Sequence, residues 1–251
     1  MSKPVLSRWH SAIRASSITI PAALALSACA EEAPVTPPEP TASTASSVED
    51  PLPVMGPERV ILGFGDSLMA GYQVEEAQGY PETLERALRG KGINARVIDA
   101  GVSGDTTAAG AQRIAFVLDN NADKTIDLAI IELGGNDLLR GIPVEQTRAN
   151  LSAIIEEVQS RDIPIILMGM RAPPNLGADF VGQFDGIYTD LASQYGTALV
   201  PFFMEPLFQN PDLFQGDRVH PTAQGIEEMV NATVDDVAAA LPEQTGPEKT
   251  D

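Results

Sequence analysis

Short apolar runs alternate with amphipathic helical segments along most of this chain. The runs are rich in β-branched residues and predict strands at 59–64, 95–99, 128–133, 163–168 and 198–201. Helices are predicted between and after them, at 81–89, 108–118, 144–160, 180–195 and from 222 onward. Strands that alternate with helices form a parallel sheet covered on both faces. The sequence therefore predicts an α/β protein with a three-layer α/β/α, flavodoxin-like fold and a five-stranded parallel sheet.

The two ends of the 251-residue chain lie outside this alternating pattern. Residues 1–28 have basic side chains, no acid and an apolar stretch too short to span a bilayer comfortably, which indicates a secretory signal peptide. Residues 29–57 and 242–251 are rich in proline, threonine and glutamate and predict a disordered linker and a disordered tail. One folded domain is expected at 58–241.

Cys29 is the only cysteine of the chain, and it follows the small residues that end the predicted signal peptide. The segment Leu26–Cys29 resembles the bacterial lipobox, in which the cysteine is lipidated after cleavage just before it. That resemblance implies an exported, periplasmic protein with a lipid anchor, and Ala30 in the next position favours the outer membrane. An uncleaved anchor and an ordinary signal peptide with an incidental cysteine are the alternatives.

The charge and the scarcity of sulfur and imidazole ligands exclude several classes of partner. The formal net charge is −19, and it becomes −22 without residues 1–28, which hold Lys3, Arg8, Arg14 and no acid. Such a chain offers no basic face to nucleic acid and is repelled by anionic lipids, so membrane attachment would depend on the anchor alone. One cysteine and two histidines argue against a metal centre. No metal and no cofactor is expected.

Three glycine-rich motifs each follow a predicted strand. They are Gly65–Leu68 (GDSL) after the first, Gly101–Asp105 (GVSGD) after the second and Gly134–Asp137 (GGND) after the third. A fourth motif, Asp217–Pro221 (DRVHP), precedes the last predicted helix. Ligands of doubly wound folds bind at the carboxyl ends of the strands, so we expect these motifs to meet at one edge of the sheet.

His220 is the only imidazole outside the predicted signal peptide, and Asp217 stands three residues before it. A lone histidine more often has a structural role. Here, however, the carboxylate can hold one ring nitrogen so that the other faces outward as a base. Ser67 is the candidate nucleophile, since a serine hydroxyl needs such a base, and the order Ser, Asp, His is one of the known triad orders. Activity should then fall below about pH 6 to 7, where a histidine base becomes protonated.

The same motifs offer donors for the oxyanion of a tetrahedral intermediate. The candidates are the backbone N–H of Ser67, the backbone N–H of Gly104 and the side-chain amide of Asn136. A glycine at 104 lets the backbone approach a substrate closely. The alternative interpretation of Gly104 and Asn136 is ordinary turn chemistry, which both residue types favour.

Taken together, the four motifs in this order and spacing resemble the SGNH (GDSL) hydrolases, and most closely their bacterial arylesterase, acyl-CoA thioesterase I and lysophospholipase L1 branch. The four residues for which the family is named correspond to Ser67, Gly104, Asn136 and His220, and the resemblance extends over nearly all of 58–241. It implies the SGNH hydrolase fold and a serine esterase that forms an acyl-enzyme intermediate. The implied substrates are small aryl or alkyl esters, lysophospholipids and, as a further class, acyl thioesters. A monomer is expected.

The sequence departs from the family pattern between the aspartate and the histidine. Arg218-Val219 stands where family members often have Gly-Ile or Gly-Val, and we expect little effect because both residues are spacers. Chain-length preference should depend on the pocket around residues such as Leu139, Ile142 and Pro173.

For two alternative functions, the sequence lacks a glycine that the corresponding motif requires. A dinucleotide-binding motif at Gly63–Gly65 would need a third glycine where Leu68 stands. The nucleophile elbow of α/β-hydrolases would need a glycine in place of Met69. A binding protein that had lost catalysis should lack at least one of the candidate residues, and none is missing. Widely spaced aspartates are expected to be solvated surface rather than a metal site, namely Asp119, Asp123 and Asp127.

Overall fold

The structure, a computed structural model, describes residues 53–243. The predicted signal peptide (1–28), the predicted lipidation site at Cys29, residues 29–52 of the predicted linker and residues 244–251 of the predicted tail lie outside the described residues. The predicted domain at 58–241 lies inside them.

Five strands form one sheet in which every neighbouring pair is parallel. The strands are β1 (Arg59–Gly65), β2 (Ala95–Gly101), β3 (Ile126–Glu132), β4 (Ile165–Met168) and β5 (Ala198–Val200). Their order, β2-β1-β3-β4-β5, is the flavodoxin-like order. Every residue of β1 is buried, as expected for a strand that is covered on both faces. The predicted fold class is confirmed.

Seven α-helices lie within residues 53–243. They are α1 (Tyr80–Gly90), α2 (Thr107–Asp119), α3 (Gly135–Leu139), α4 (Val144–Gln159), α5 (Ala178–Tyr195), α6 (Glu205–Gln209) and α7 (Ala223–Ala240). The sequence did not predict α3 and α6, because five residues are too few to display a helical period. No helix in this part of the chain is both long and apolar enough to cross a membrane.

The helices pack in two groups. Helix α7 contacts α1 and α6, whereas α4 contacts α2 and α5. The predicted apolar face of α7 is buried in full, at Ile226, Met229, Val230, Thr233 and Val237. With the sheet between the two groups, the buried side chains form one continuous core.

Threonine caps begin two of the helices at the carboxyl edge of the sheet. The Thr106 hydroxyl accepts the Ala109 N–H at the start of α2, and the Thr222 hydroxyl accepts the Gly225 N–H at the start of α7. A threonine oxygen in this position satisfies a backbone donor that the helix itself leaves unpaired. The predicted cap at Thr222 is confirmed.

Asp127 differs from the solvated residue that we expected. Its carboxylate accepts hydrogen bonds from Arg59 Nε at 3.0 Å and from the Val60 N–H at 2.7 Å, so it ties the start of β3 to the start of β1. Asp119 and Asp123 are largely exposed, as predicted. The difference arises because Asp127 is already part of a strand.

Candidate active site

Ser67, His220 and Asp217 form a continuous series of hydrogen bonds. Ser67 Oγ lies 2.9 Å from His220 Nε2, and His220 Nδ1 lies 2.7 Å from Asp217 Oδ2. A neutral imidazole with its proton on Nδ1 donates to the carboxylate and leaves Nε2 free to accept the serine proton. The structure thus brings the three predicted catalytic residues together in the arrangement that serine activation requires.

Asp217 is held in its charged form. The hydrogen bond from the His220 ring, and then the backbone N–H groups of Val219 and His220, lower the pKa of Asp217 to about 2. The two backbone donors lie 2.9 and 3.0 Å from Asp217 Oδ1. The aspartate is therefore ionised at any pH at which an esterase of this kind would be assayed, and it fixes the orientation of the ring.

Residues 213–222, which we call the histidine turn, carry this pair. The Gln215 N–H donates to the His220 carbonyl and the Thr222 N–H donates to the Leu213 carbonyl, each over 2.7 Å. The Gln215 side chain also donates to the Tyr72 carbonyl, and the Tyr72 ring lies 4.3 Å from the His220 ring. Most of the hydrogen bonds that hold His220 in place are thus formed within the histidine turn itself.

Arg218 stands in a backbone conformation that favours glycine. Its φ is +59°, in the left-handed region, where a residue with a Cβ costs about 1–2 kcal/mol. Arg218, which we expected to be a neutral spacer in place of the usual glycine, therefore costs conformational free energy. Its side chain is exposed.

By contrast, residues 65–69 of the segment 65–70, which we call the nucleophile turn, are buried. The Leu68 N–H donates to Asp66 Oδ1 at 3.1 Å, and the Ala70 N–H donates to the Asp66 carbonyl at 3.0 Å. Ser67 is only 8% exposed. The turn begins at the last residue of β1, so the serine sits directly on the central part of the sheet.

A pair of buried carboxyl groups supports the nucleophile turn, and sequence reasoning missed it. Glu132, the last residue of β3, is fully buried, and its Oε2 accepts the Asp66 N–H at 3.2 Å. Burial, and then the charge of Asp66, raise the pKa of Glu132 well above its usual value. The raised pKa favours the protonated form of Glu132, whose other carboxyl oxygen, Oε1, has no hydrogen-bond partner among the described residues. A glutamate at the end of the otherwise apolar run LAIIE was the available signal.

The predicted oxyanion donors are oriented but otherwise free. Asn136 donates one amide hydrogen to Asp66 Oδ2 at 2.9 Å, which leaves its second hydrogen for a ligand. The backbone N–H groups of Ser67 and Gly104 donate no hydrogen bond to any residue in 53–243. Gly104 has a φ of +86°, and its carbonyl accepts from Arg140 at 2.7 Å.

Gly134 explains how the third motif turns from strand to helix. Its φ is +119°, and a Cβ at this position would lie 2.2 Å from the Tyr188 hydroxyl oxygen. That hydroxyl donates to the Leu133 carbonyl, and buried Asp137 accepts the Thr107 N–H. These contacts fix α3, and with it the direction in which Asn136 points.

Ser67, Asn136 and His220 line one cavity of about 230 Å³, whereas Gly104 does not line it. The opposite wall is mainly apolar and includes Leu139, Met170, Pro173, Phe202, Met204, Phe208 and Phe214. Leu139, Ile142 and Pro173 were predicted to lie around the substrate pocket. Leu139 and Pro173 line the cavity, whereas Ile142 does not. A small apolar recess next to the Ser67 hydroxyl has room and surface suited to an acyl group.

No group of three or more histidine, cysteine, aspartate or glutamate side chains in residues 53–243 is arranged to hold a metal ion.

Comparison with known proteins agrees with this geometry. Residues 64–227 match the model of the GDSL-like lipase/acylhydrolase family. The chain belongs to this family. The predicted SGNH (GDSL) membership and the predicted enzyme class, an ester hydrolase, are confirmed.

Relatives of this GDSL hydrolase carry esterase names. An arylesterase of Vibrio mimicus is 38% identical over 161 residues, which are 64% of this chain and 79% of the relative. The thioesterase 1/protease 1/lysophospholipase L1 of Escherichia coli K12 is 35% identical over 161 residues, 64% of this chain and 74% of the relative. The crystal structure of AlinE4, an SGNH-hydrolase family esterase, is 62% identical. It covers 75% of this chain and 100% of its own, with a TM-score of 0.63.

Proposed function

We propose that this GDSL hydrolase is a serine esterase that cleaves carboxylic esters through a Ser67–His220–Asp217 triad and an acyl-enzyme intermediate. The observation that carries the proposal is the series of hydrogen bonds from Ser67 Oγ through both nitrogens of His220 to Asp217. Each atom already has the partner that it needs at the start of the reaction.

In the acylation step, His220 Nε2 takes the proton of the Ser67 hydroxyl as Oγ attacks the ester carbonyl carbon. The carbonyl oxygen becomes an oxyanion, which the N–H groups of Ser67 and Gly104 and the free amide hydrogen of Asn136 stabilise. The bond to the alcohol oxygen then breaks, and that oxygen receives the proton from Nε2. The alcohol leaves, and the acyl group remains on Ser67.

In the deacylation step, water takes the place of the alcohol. His220 Nε2 accepts one proton of the water as its oxygen attacks the acyl carbon, and the same donors hold the second oxyanion. Collapse of this intermediate returns the proton to Ser67 Oγ and releases the acid. No metal or cofactor takes part in either step.

The proposed substrates are small aryl and alkyl esters and lysophospholipids, with acyl thioesters as a further class. The apolar wall of the cavity and the names of the relatives support this range. Because we propose a periplasmic location, cytosolic acyl-CoA is not the expected natural substrate.

We also propose that residues 1–28 direct export, that Cys29 carries acyl chains that anchor a monomer to the outer membrane, and that residues 29–57 link the anchor to the domain. Two or more acyl chains would hold the protein stably, while one would not. Mass spectrometry of the mature N-terminus tests this. A lipid-modified Cys29 is expected, and a free N-terminus at any other residue would contradict it.

Ser67→Ala tests the triad. Hydrolysis of p-nitrophenyl hexanoate should fall at least about 10³-fold, whereas Ser160→Ala, an exposed serine at the end of α4, should leave it unchanged. A fluorophosphonate should add its mass to the wild type and the Ser160 variant but not to the Ser67 variant. Substantial activity in a folded Ser67→Ala protein would refute the proposed nucleophile.

A further inference from the structure

Two arginines at the candidate active site have no ionic partner. Most basic side chains in residues 53–243 donate to a carboxylate or a carbonyl, as Arg113 does to Asp105 and Arg148 does to Asp190. The side chains of Arg171 and Arg218 make no hydrogen bond or ion pair with any described residue, and among the other basic side chains of residues 53–243 only that of Arg96 shares this property. In a chain with 35 acidic residues, two arginine side chains without an ionic partner at one cavity are unexpected.

Both arginines line the cavity that also contains Ser67 and His220. Asp66 is the only acidic residue among the described residues that line it, and this carboxylate is buried and already bonded to Asn136. The guanidinium of Arg171 lies 5.1 Å from the ring centroid of Phe202, a cation–π distance that restrains its position. The cavity therefore combines an apolar wall with uncompensated positive charge.

The backbone of Arg218 gives an independent reason to look for a role of its side chain. Its φ of +59° lies in the region that glycine adopts without strain. Strained positions of this kind tend to occur where the side chain serves a function. Because its side chain is exposed, the packing of the core does not explain the arginine.

We propose that Arg171 and Arg218 form an anion subsite, which binds a phosphate or carboxylate group of the ester substrate while the ester carbonyl lies at Ser67. The proposal rests on the proposed esterase function. Guanidinium groups pair with the planar or tetrahedral oxygens of such anions in a charge-assisted way. The remaining surface is strongly acidic and would repel an anionic substrate, so the preference must arise locally at these two side chains.

Matched pairs of esters measure the preference. The phosphate pair is 1-hexanoylglycerol 3-phosphate and 1-hexanoylglycerol, which share the acyl chain and the reacting bond. The carboxylate pair is 3-(hexanoyloxy)benzoate and its methyl ester. The readout is the ratio of kcat/KM for the anionic ester to kcat/KM for the neutral ester in each pair. A preference for the anionic ester in the phosphate pair alone would show that the subsite binds a phosphate headgroup. A preference in both pairs would show that it binds either anion.

The double variant Arg171→Gln/Arg218→Gln should lower this ratio by about fivefold or more, as expected for two partly exposed ion pairs. Arg218→Lys should keep part of the ratio. Arg96→Gln removes the same charge from an exposed position on β2 and should leave the ratio as in the wild type. Raising NaCl to about 0.5 M should also lower the wild-type ratio, because salt screens exposed charges.

A ratio that is the same in the wild type and in the folded double variant would overturn the anion subsite, and so would an equal loss in Arg96→Gln. If the neutral ester is still hydrolysed in a Ser67-dependent way in that case, the esterase function stands and only the subsite fails. If the wild type hydrolyses no ester, or if Ser67→Ala is fully active, both proposals fail.

Discussion

The two halves of the candidate active site are built in different ways. The nucleophile turn continues a central strand, and the N–H of its buried residue Asp66 donates to Glu132, which is buried beneath the turn. The histidine turn lies at the surface, with the Asp217 side chain 41% exposed, and its hydrogen bonds are mostly internal. Ser67 and the candidate oxyanion donors therefore share the rigidity of the sheet, whereas His220 depends on a short loop at the surface.

Substitutions in the two turns test this structural difference. Loss of a polar contact in the histidine turn should reduce activity without reducing stability, whereas disruption of the buried contacts around the nucleophile turn and α3 should reduce both.

The largest effect is expected for Asp217→Asn. The amide cannot stabilise the imidazolium that forms in the reaction and favours the wrong tautomer, so kcat should fall by about 10³- to 10⁴-fold. The melting temperature should hardly change, because the side chain is partly exposed. Kinetics and a thermal melt by circular dichroism measure both, with Asp212→Asn, an exposed aspartate just before the turn, as the control. A large fall in melting temperature would show that the two halves are not built so differently.

Gly134→Ala should destabilise the protein by about 2–4 kcal/mol, because the new Cβ meets the Tyr188 hydroxyl and the backbone is left-handed. Since α3 would shift with it, the activity of the folded fraction should fall as well. Gly182→Ala is the matched control: that glycine lies in α5 with open space around it, so alanine should be neutral or mildly stabilising. Urea unfolding compares the two, and equal stability would contradict the tight contact at Gly134.

Glu132→Gln and Glu132→Ala separate the role of the buried proton from that of the charge. Glutamine keeps an uncharged side chain with an oxygen that can accept the Asp66 N–H, so this variant should retain most of the activity. Alanine removes that acceptor, and activity should fall about tenfold because Asp66, and with it the bonded Asn136 amide, is held less firmly. The raised pKa means that folded Glu132 holds its proton where the unfolded chain has lost it. The wild type therefore loses stability as pH rises above the unfolded value of 4.5 towards the folded pKa.

The glutamine variant, which cannot titrate, should lose less free energy of unfolding between pH 5 and pH 8 than the wild type. Glu228→Gln on the exposed side of α7 serves as the control and should follow the wild type. An inactive but folded glutamine variant would mean that Glu132 must be charged to support the site.

The smallest effect is expected for Arg218→Gly. Glycine relieves the left-handed strain but gains more freedom in the unfolded chain, so the net stabilisation should be below about 1 kcal/mol. Asp162→Gly, whose φ is +58° beyond the end of α4, should gain the same amount. Chemical denaturation measures both variants. A loss of more than about 1 kcal/mol at Arg218 would show that its side chain stabilises the turn.

The sequence was sufficient for the elements with strong local signals. The apolar strands and the long helix α7 appear in the hydrophobic pattern, and three of the four motifs lie at one edge of the sheet because the parallel strands before them end there. Ser67, Asp217 and His220 could be paired from the sequence because Asp217 stands three residues before the only imidazole outside the predicted signal peptide. Ser67 follows the first strand in a glycine-rich turn, and the four motifs together resemble the SGNH hydrolases.

Other features depend on contacts between distant strands and could not be predicted in this way. The hydrogen bond from the Asp66 N–H to buried Glu132 exists only because β1 and β3 are neighbours, and the sequence separates these residues by 66 positions. The left-handed backbone at Arg218 belongs to the closed histidine turn, and an arginine in the sequence does not predict such a conformation.

The Thr222 cap has a consequence for how heat would inactivate the enzyme. His220 lies two residues before this cap, and the histidine turn closes partly through the Thr222 backbone and hydroxyl, both of which donate to the Leu213 carbonyl. Fraying of the first turn of α7 would therefore withdraw the base while the sheet and the serine stay in place. On warming, catalytic activity should then be lost reversibly at a temperature some degrees below the melting temperature of the domain.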